Sequence, residues 1–296
     1  MKIIGYNGGR IGVTDTASVW DISALSLTGP DQFPPVAAVD VISRFEELRP
    51  RIDEMMAATP AVALADVVLD TPIPWCNKLL AYPANYEAHV AEMHTGNRAN
   101  VNGFFLKATS SLSGVSAPVV LPVIPGAEIH HESELAIIIG RGGRNIAIED
   151  ARQHIFGYSC LIDVTVRGKQ ERVMRKSFDT FCPVGPWIVT ADEVSDPTDL
   201  DITLTVNGEL RQEANTRDLI VGIDEMVALA SSVCTLYPGD IIATGTSGGV
   251  GLIVPGDEIA IQITSVGEMT VSVVAGGPIT NRAFPTTVAS GAPVGI

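Results

Sequence analysis

The sequence predicts an α+β fold rich in strands, with a small N-terminal domain over residues 1–72 and a larger β-rich unit over residues 73–296. Three observations lead there. Short runs of β-branched and other apolar residues recur between turn signals along most of the chain. A long helical stripe stands out over Asp224 to Leu236, with Ile223, Met226, Val227 and Ala230 on one side. Pro72 and Pro74 punctuate the chain between an N-terminal segment of mixed signals and the strand-rich remainder.

Taken in order, Ile11 to Val13 and Val19 to Ile22 read as short strands around a turn. A loop at Thr28-Gly29-Pro30-Asp31 and Phe33-Pro34-Pro35 precedes Val39, Ile42, Phe45 and Leu48, which recur at helical spacing. Pro50 interrupts that stripe, so a second helix is expected to start there. Asn85 to Met93 is expected as a short helix with Asn85 at its N-cap. The strands expected beyond it are Val119 to Ile124, Glu132 to Ile139, Tyr158 to Val164, Trp187 to Val189, Ile202 to Val206, Leu210 to Gln212, Ile241 to Thr244, Glu258 to Ile263 and Met269 to Val274. Val206-Asn207-Gly208-Glu209 is a hairpin turn of the kind that needs positive φ. Tyr237-Pro238-Gly239-Asp240 stops the long helix. The segment after Pro278 lacks periodicity, as a tail wrapping the surface or a partner would.

Composition and charge exclude several classes of protein. The 296 residues are 46% apolar and 18% charged, with 28 Gly and 19 Pro, which is a globular balance. A net charge of −15 leaves no basic footprint and argues against nucleic acid as a partner. No apolar run reaches bilayer-spanning length, and the opening Met1-Lys2-Ile3-Ile4-Gly5 has no signal-peptide core. A cytoplasmic protein without a membrane partner is therefore expected. Cys76, Cys160, Cys182 and Cys234 form no CxxC pair and are expected to be free thiols.

The most informative segment is Ile129-His130-His131-Glu132-Ser133-Glu134-Leu135-Ala136-Ile137-Ile138-Ile139. In a strand, residues two apart share a face, so Glu132 and Glu134 point the same way. Two readings fit: an exposed strand end with solvated glutamates, or a buried pair offset by a cation or a shared proton. A third acid, Asp163, ends the apolar run Cys160-Leu161-Ile162. Oxygen-only clusters of this kind suit Mg²⁺, Mn²⁺ or Ca²⁺ rather than zinc. Three carboxylates and a dication leave one negative charge, so an anionic ligand needs cationic donors nearby. Arg167 and Lys176 follow closely, with Gln170 as a neutral donor; each alone also fits an ordinary surface contact. His89 and Glu92, three apart on the expected helix, make either a surface ion pair or an oriented imidazole.

Several motifs then resemble one family in its order. They are Asn85-Tyr86-Glu87-Ala88-His89 with Glu92, Glu132-Ser133-Glu134-Leu135, Asp163-Val164-Thr165-Val166-Arg167 with Gln170, and Lys176-Ser177-Phe178-Asp179. Gly185-Pro186-Trp187, Val206-Asn207-Gly208-Glu209, Pro238-Gly239-Asp240 running to Thr244-Gly245-Thr246, and Gly249-Val250-Gly251 continue the series. Over roughly residues 80 to 275 the chain resembles the fumarylacetoacetate hydrolase family.

That resemblance implies a catalytic core of rolled, mixed β-sheets of fumarylacetoacetase type, commonly in a homodimer. It implies one divalent cation, Mg²⁺ or Mn²⁺ with Ca²⁺ as a further option, held by Glu132, Glu134 and Asp163. The substrate implied is a small 2-oxo acid, often an acylpyruvate, whose 2-oxo-carboxylate end chelates the metal. Lys176 and Gln170 would hold its oxygens, Arg167 would orient the acids or the substrate, and Thr246 would bond its carboxylate. His89 with Glu92 would activate water. The implied reaction is hydrolysis of a C–C bond in a 2,4-dioxo acid, with the leaving enolate stabilised by the metal and Lys176. Decarboxylation of a 2-oxo acid, or enol–keto isomerisation in aromatic catabolism, passes through the same enolate and is the alternative.

Two loops depart from the family's pattern. Gly245-Thr246-Ser247-Gly248 stands where the family reads Gly-Thr-Pro, which removes a fixed φ and frees a backbone N–H. Leu106-Lys107-Ala108 stands for Leu-Lys-Pro, leaving Lys107 either facing the site or on the surface. The polar stretch Gly96 to Gly103 suits a flexible lid or a substrate-selecting loop. His94, His130 and His131 carry no role that the resemblance assigns and are expected to be solvated or structural.

Overall fold

A computed structural model of the chain describes residues 1–284 apart from 30, 31, 95, 97, 280 and 282. Most of the tail expected after Pro278, part of the loop at Pro30-Asp31 and part of the Gly96 to Gly103 stretch therefore lie outside the described residues. Strands dominate, and among the described residues they form a mixed, rolled architecture of three sheets.

A 12-stranded sheet runs in the order Val62–Ala63, Ser18–Asp21, Arg10–Thr14, Lys2–Tyr6, Cys182–Thr190, Ile155–Ile162, Ser133–Ile139, Ile241–Ala243, Leu79–Ala81, Phe105–Lys107. Leu69–Asp70 and Leu112–Ser113 attach beside this path. Most pairings are antiparallel, but Ile241–Ala243 runs parallel to Leu79–Ala81. At its centre, Ser133–Ile139 and Ile155–Ile162 are buried along their whole length. That is why both read as unbroken apolar runs rather than alternating ones. Residues 1–72, expected as a small N-terminal domain, contribute the first strands of this same sheet, with Ile3 opposite Ile188. Their helices, Ala37–Ser43 and Phe45–Ala58, bury Val41, Ile42, Phe45, Leu48 and Ile52 in a core that also contains Ile138, Phe156 and Ile241.

A 5-stranded sheet, in the order Glu209–Asn215, Asp201–Val206, Glu258–Ile263, Gly267–Pro278, Val119–Val123, lies over a second core around Leu135, Ile137 and Tyr158. A 3-stranded sheet joins Thr165–Val166, Ile129–His131 and Gly251–Leu252. The Asn207-Gly208 turn has φ of 53° and 78°, as its type requires, and closes Val206 onto Glu209.

Several boundaries differ from expectation for identifiable reasons. The break in the first helical stripe falls at Arg44, and Phe45–Ala58 continues through Pro50. Early in the helix that proline removes one backbone bond, while the face formed by Phe45, Leu48 and Ile52 stays buried. The long helix spans Ile223–Val233, because Cys234 is extended and Leu236 instead bridges Gly143 through its backbone. The short helix spans Glu87–Glu92, and Asn85 is not its cap. The Asn85 amide instead donates to Val221 and Thr244 carbonyls and accepts from the Val221 N–H. The strand expected at Glu132 to Ile139 starts one residue later, at Ser133, and the preceding stretch Ile129–His131 is a separate strand of the small sheet. All four cysteines are free.

Replacing Ile137, fully buried in the central strand, by Ala is expected to lower stability by about 2–5 kcal/mol. Urea unfolding of the purified variant measures it; a change below about 1 kcal/mol would contradict this packing.

Candidate active site

Glu132 and Asp163 occupy equivalent positions, where two adjacent strands leave the large sheet and enter the small one. Ser133 pairs with Ile162 on one side of the crossing and Ile129 with Val166 on the other. Between them the Asp163 N–H donates to the Glu132 carbonyl at 2.8 Å. Glu134 follows two residues along the strand and shares Glu132's face, as the pleat dictates. Oxygens of the three carboxyl groups all lie within 4.8 Å of one another, and all three side chains are buried.

Such a cluster requires compensation. Lys176, at the end of the Arg172–Lys176 helix, spans two of the acids with Nζ 2.5 Å from Glu132 Oε2 and 2.6 Å from Asp163 Oδ2. Lys107 Nζ lies 2.5 Å from Asp163 Oδ1 and donates to the Phe181 carbonyl at 2.9 Å. Arg167 Nη2 lies 3.1 Å from Glu132 Oε1. Its Nε donates to His130 Nδ1 at 3.0 Å, so His130 carries its hydrogen on Nε2, 2.9 Å from Glu128. Burial opposes ionisation of Glu132, but Lys176 and Arg167 outweigh it and hold the carboxyl well below the usual range. Burial also opposes charge on Lys176, and Asp163 and Glu132 outweigh it, raising the ammonium above its ordinary value. Glu134 behaves oppositely. Burial first, then the charge of Asp163, push it well above the usual carboxylate range, with Lys176 opposing.

Glu134 Oε2 accepts from the Gly245 N–H at 2.7 Å. Gly245 has φ of +91°, and a Cβ there would stand 2.5 Å from the Tyr82 carbonyl, so only glycine lets this amide reach the acid. His89 is buried on the Glu87–Glu92 helix, with Nδ1 3.4 Å from Glu92 Oε2. Glu92 in turn accepts from the Gly249 N–H at 3.1 Å, which ties the helix to the loop that begins at Gly245.

Of the residues singled out in the sequence, Glu132, Glu134, Asp163, Lys176, Arg167 and Lys107 meet in one charged cluster. Lys107, only 3% exposed, faces the acids rather than solvent. His89 and Glu92 pair with each other, and Thr246 lies next to Gly245 and is buried. Gln170 is turned elsewhere: its Nε2 donates to the Ala283 carbonyl at 2.5 Å. His131 is fully buried, not solvated, and burial pushes its pKa down to about 4.

Sequence reasoning missed Gln212, whose buried amide connects His131 and Ser133 to Thr246 and Ser247. Strict alternation would pair Gln212 with exposed Leu210. A bulge in the Glu209–Asn215 strand, with Leu204 opposite Gln212 and Thr205 opposite Leu210, turns the glutamine inward instead. No local signal in the sequence marks that bulge.

Residues 78–274 match the family model for the C-terminal part of fumarylacetoacetate (FAA) hydrolase. Maleylpyruvate hydrolase of Aquipseudomonas alcaligenes is 40% identical over 285 residues, covering 92% of this chain and 99% of that protein. The crystal structure of maleylpyruvate hydrolase from Sphingobium sp. SYK-6, in complex with manganese(II) ion and pyruvate, superimposes with a TM-score of 0.86 at 53% identity, over 93% of this chain and 100% of that one. A 5-carboxymethyl-2-hydroxymuconate delta-isomerase from Mycobacterium smegmatis gives a TM-score of 0.73 at 32% identity, over 94% and 100%. With motifs, fold and near full-length likeness in agreement, the chain belongs to the fumarylacetoacetate hydrolase family.

Proposed function

We propose that this chain is a metal-dependent hydrolase that cleaves a C–C bond in an acylpyruvate-like 2,4-dioxo acid, with maleylpyruvate as the first substrate to test. The convergence of Glu132, Glu134 and Asp163 carries this reading. Near full-length likeness to two maleylpyruvate hydrolases supports it. The donor set is all carboxylate, without thiolate or imidazole, and so fits a hard dication: Mg²⁺ or Mn²⁺, with Ca²⁺ as a further option. Glu132, Glu134 and Asp163 would hold it. When bound, the cation supplies Lewis-acid polarisation of the 2-oxo acid and stabilises developing enolate charge.

The protein's own groups supply the rest. His89 removes a proton from water, and Glu92, anchored to the Gly249 amide, keeps the imidazole oriented. Hydroxide adds to the distal carbonyl. The bond between that carbon and the adjacent methylene then breaks, and its electron pair passes into the pyruvate enolate. A proton returned to the enolate carbon gives pyruvate, with maleate as the other product. Lys176 and Arg167 offset the enolate and carboxylate charges, while Lys107 holds Asp163 in position. Thr246 donates to the substrate carboxylate, and Gln170 reaches the substrate only by giving up its bond to Ala283. Three carboxylates meeting three side-chain cations leave a bound dication uncompensated, which matches a dicarboxylate substrate better than a monoanion. The enzyme acts as a homodimer in the cytoplasm in this reading.

The likeness to the delta-isomerase favours a second reading, enol–keto isomerisation at the same site. Product analysis separates the two, since hydrolysis yields two acids and isomerisation one.

Protein stripped with EDTA is expected to lose turnover of maleylpyruvate and to regain it with Mn²⁺ or Mg²⁺. Absence of turnover with either metal, across a panel of acylpyruvates, would sink the proposal. His89→Ala is expected to lower kcat by about 10²- to 10⁴-fold while Mn²⁺ affinity holds; steady-state kinetics beside calorimetric metal titration checks both. Because Glu134 is held above the usual carboxylate range, it keeps its proton to higher pH in the metal-free protein and must release it to bind a cation. Mn²⁺ affinity is therefore expected to rise with pH above the ordinary carboxylate range, with proton release on binding. Calorimetry in buffers of different ionisation enthalpy measures that release, and a pH-independent affinity would contradict it.

A further inference from the structure

Gln212 joins two parts of the site, and its two ends cannot be exchanged. The side chain is 1% exposed. Its Oε1 accepts from the Ser133 backbone N–H at 2.9 Å and lies 3.1 Å from His131 Nδ1. Its Nε2 donates to Thr246 Oγ1 at 2.7 Å and to the Ser247 carbonyl at 3.2 Å. A backbone N–H can only donate and a carbonyl can only accept. Flipping the amide would set donor against donor at Ser133 and acceptor against acceptor at Ser247. His131 Nδ1 accordingly carries its hydrogen toward Oε1. One lone pair of the Thr246 oxygen accepts from Gln212, which turns its single hydrogen away from the glutamine toward another partner. The adjacent Gly245 N–H reaches Glu134, and Gln212 Oε1 holds the Ser133 N–H between Glu132 and Glu134, so Thr246 is tied on both sides to the backbone that carries the acids.

We infer that Gln212 is a positioning residue: it locks the Thr246 hydroxyl as a one-way donor toward the carboxylate of the 2-oxo acid and ties that hydroxyl to Ser133, between two of the acids. The inference rests on the reading of Thr246 as a substrate contact. It also accounts for a loop with Ser247 where the family pattern has proline. The glutamine amide restrains the Ser247 carbonyl from outside, in place of a ring that restrains the backbone from within.

The test uses full-length, Mn²⁺-loaded protein with pyruvate as the probe, titrated calorimetrically. Gln212→Met is expected to weaken pyruvate binding by about tenfold or more, the loss expected when a hydrogen bond to a charged group is misdirected. It should raise KM for the dioxo acid more than it lowers kcat, with Mn²⁺ affinity unchanged. Combined with Thr246→Val it should add no further loss, because both changes remove the same contact. Gln212→Asn, polar but a methylene too short to span both sides, should behave alike and serves if the methionine variant does not fold. Wild-type pyruvate affinity in these variants, or a loss that adds in full to that of Thr246→Val, overturns the inference. Unchanged pyruvate affinity in Thr246→Val overturns the reading of Thr246 itself, and the inference with it.

Discussion

One backbone hydrogen bond, from the Asp163 N–H to the Glu132 carbonyl at 2.8 Å, sits where two neighbouring strands change sheets together. On one side the strands are locked in the centre of the large sheet, Ser133 opposite Ile162. On the other they pair again in the small sheet, His130 opposite Thr165. A strand leaving a sheet normally exposes its backbone groups to water. Here the partner strand leaves with it, so the ladder is never abandoned and the crossing can be buried. Two acids on adjacent strands are thereby brought together by backbone pairing, and the pleat adds Glu134. The main chain, not attraction between side chains, assembles the cluster.

Assembly on those terms creates an electrostatic problem. At about 4 Å, two like charges repel by roughly 4 kcal/mol even at an effective dielectric constant of 20. The fold answers with cations from separate elements: Lys107 from an edge strand, Lys176 from a short helix, and Arg167 just past the crossing. The compensation is uneven. Glu132 and Asp163 each hold a lysine ammonium within 2.6 Å, whereas among the described residues Glu134 holds only a backbone amide. That asymmetry is why Glu134 is the acid driven toward its protonated form and the one whose charge a bound cation most directly restores.

The third layer of organisation links the acids to the groups around the substrate. Gly249 packs so closely on the bulged strand that a Cβ would stand 2.1 Å from the Arg211 carbonyl. The same glycine donates to Glu92, the partner of His89. The bulge that turns Gln212 inward therefore also seats the loop that carries Thr246 and anchors the His89 pair. Movement of that strand would disturb the proposed base and the proposed carboxylate contact together.

Much of this was legible in the chain alone, wherever the chemistry is local. Glu132 and Glu134 lie two apart in an apolar strand, His89 and Glu92 lie three apart on a helix, and Asn207-Gly208 turns a hairpin. Each relation is set by the period of the backbone that carries it. Tertiary structure alone decided whatever depends on a partner distant in sequence. Lys107 could be a surface residue until Asp163, on another strand, is placed against it. Asn85 looks like a helix cap until the Val221 and Thr244 carbonyls claim its amide. Gln212 has no role that its strand alone reveals until a one-residue bulge sets it opposite Leu204 and turns it inward. Local spacing determines which side chains share a face, but only the packed fold determines what that face meets, because hydrogen bonds and ion pairs depend on distance in space rather than along the chain.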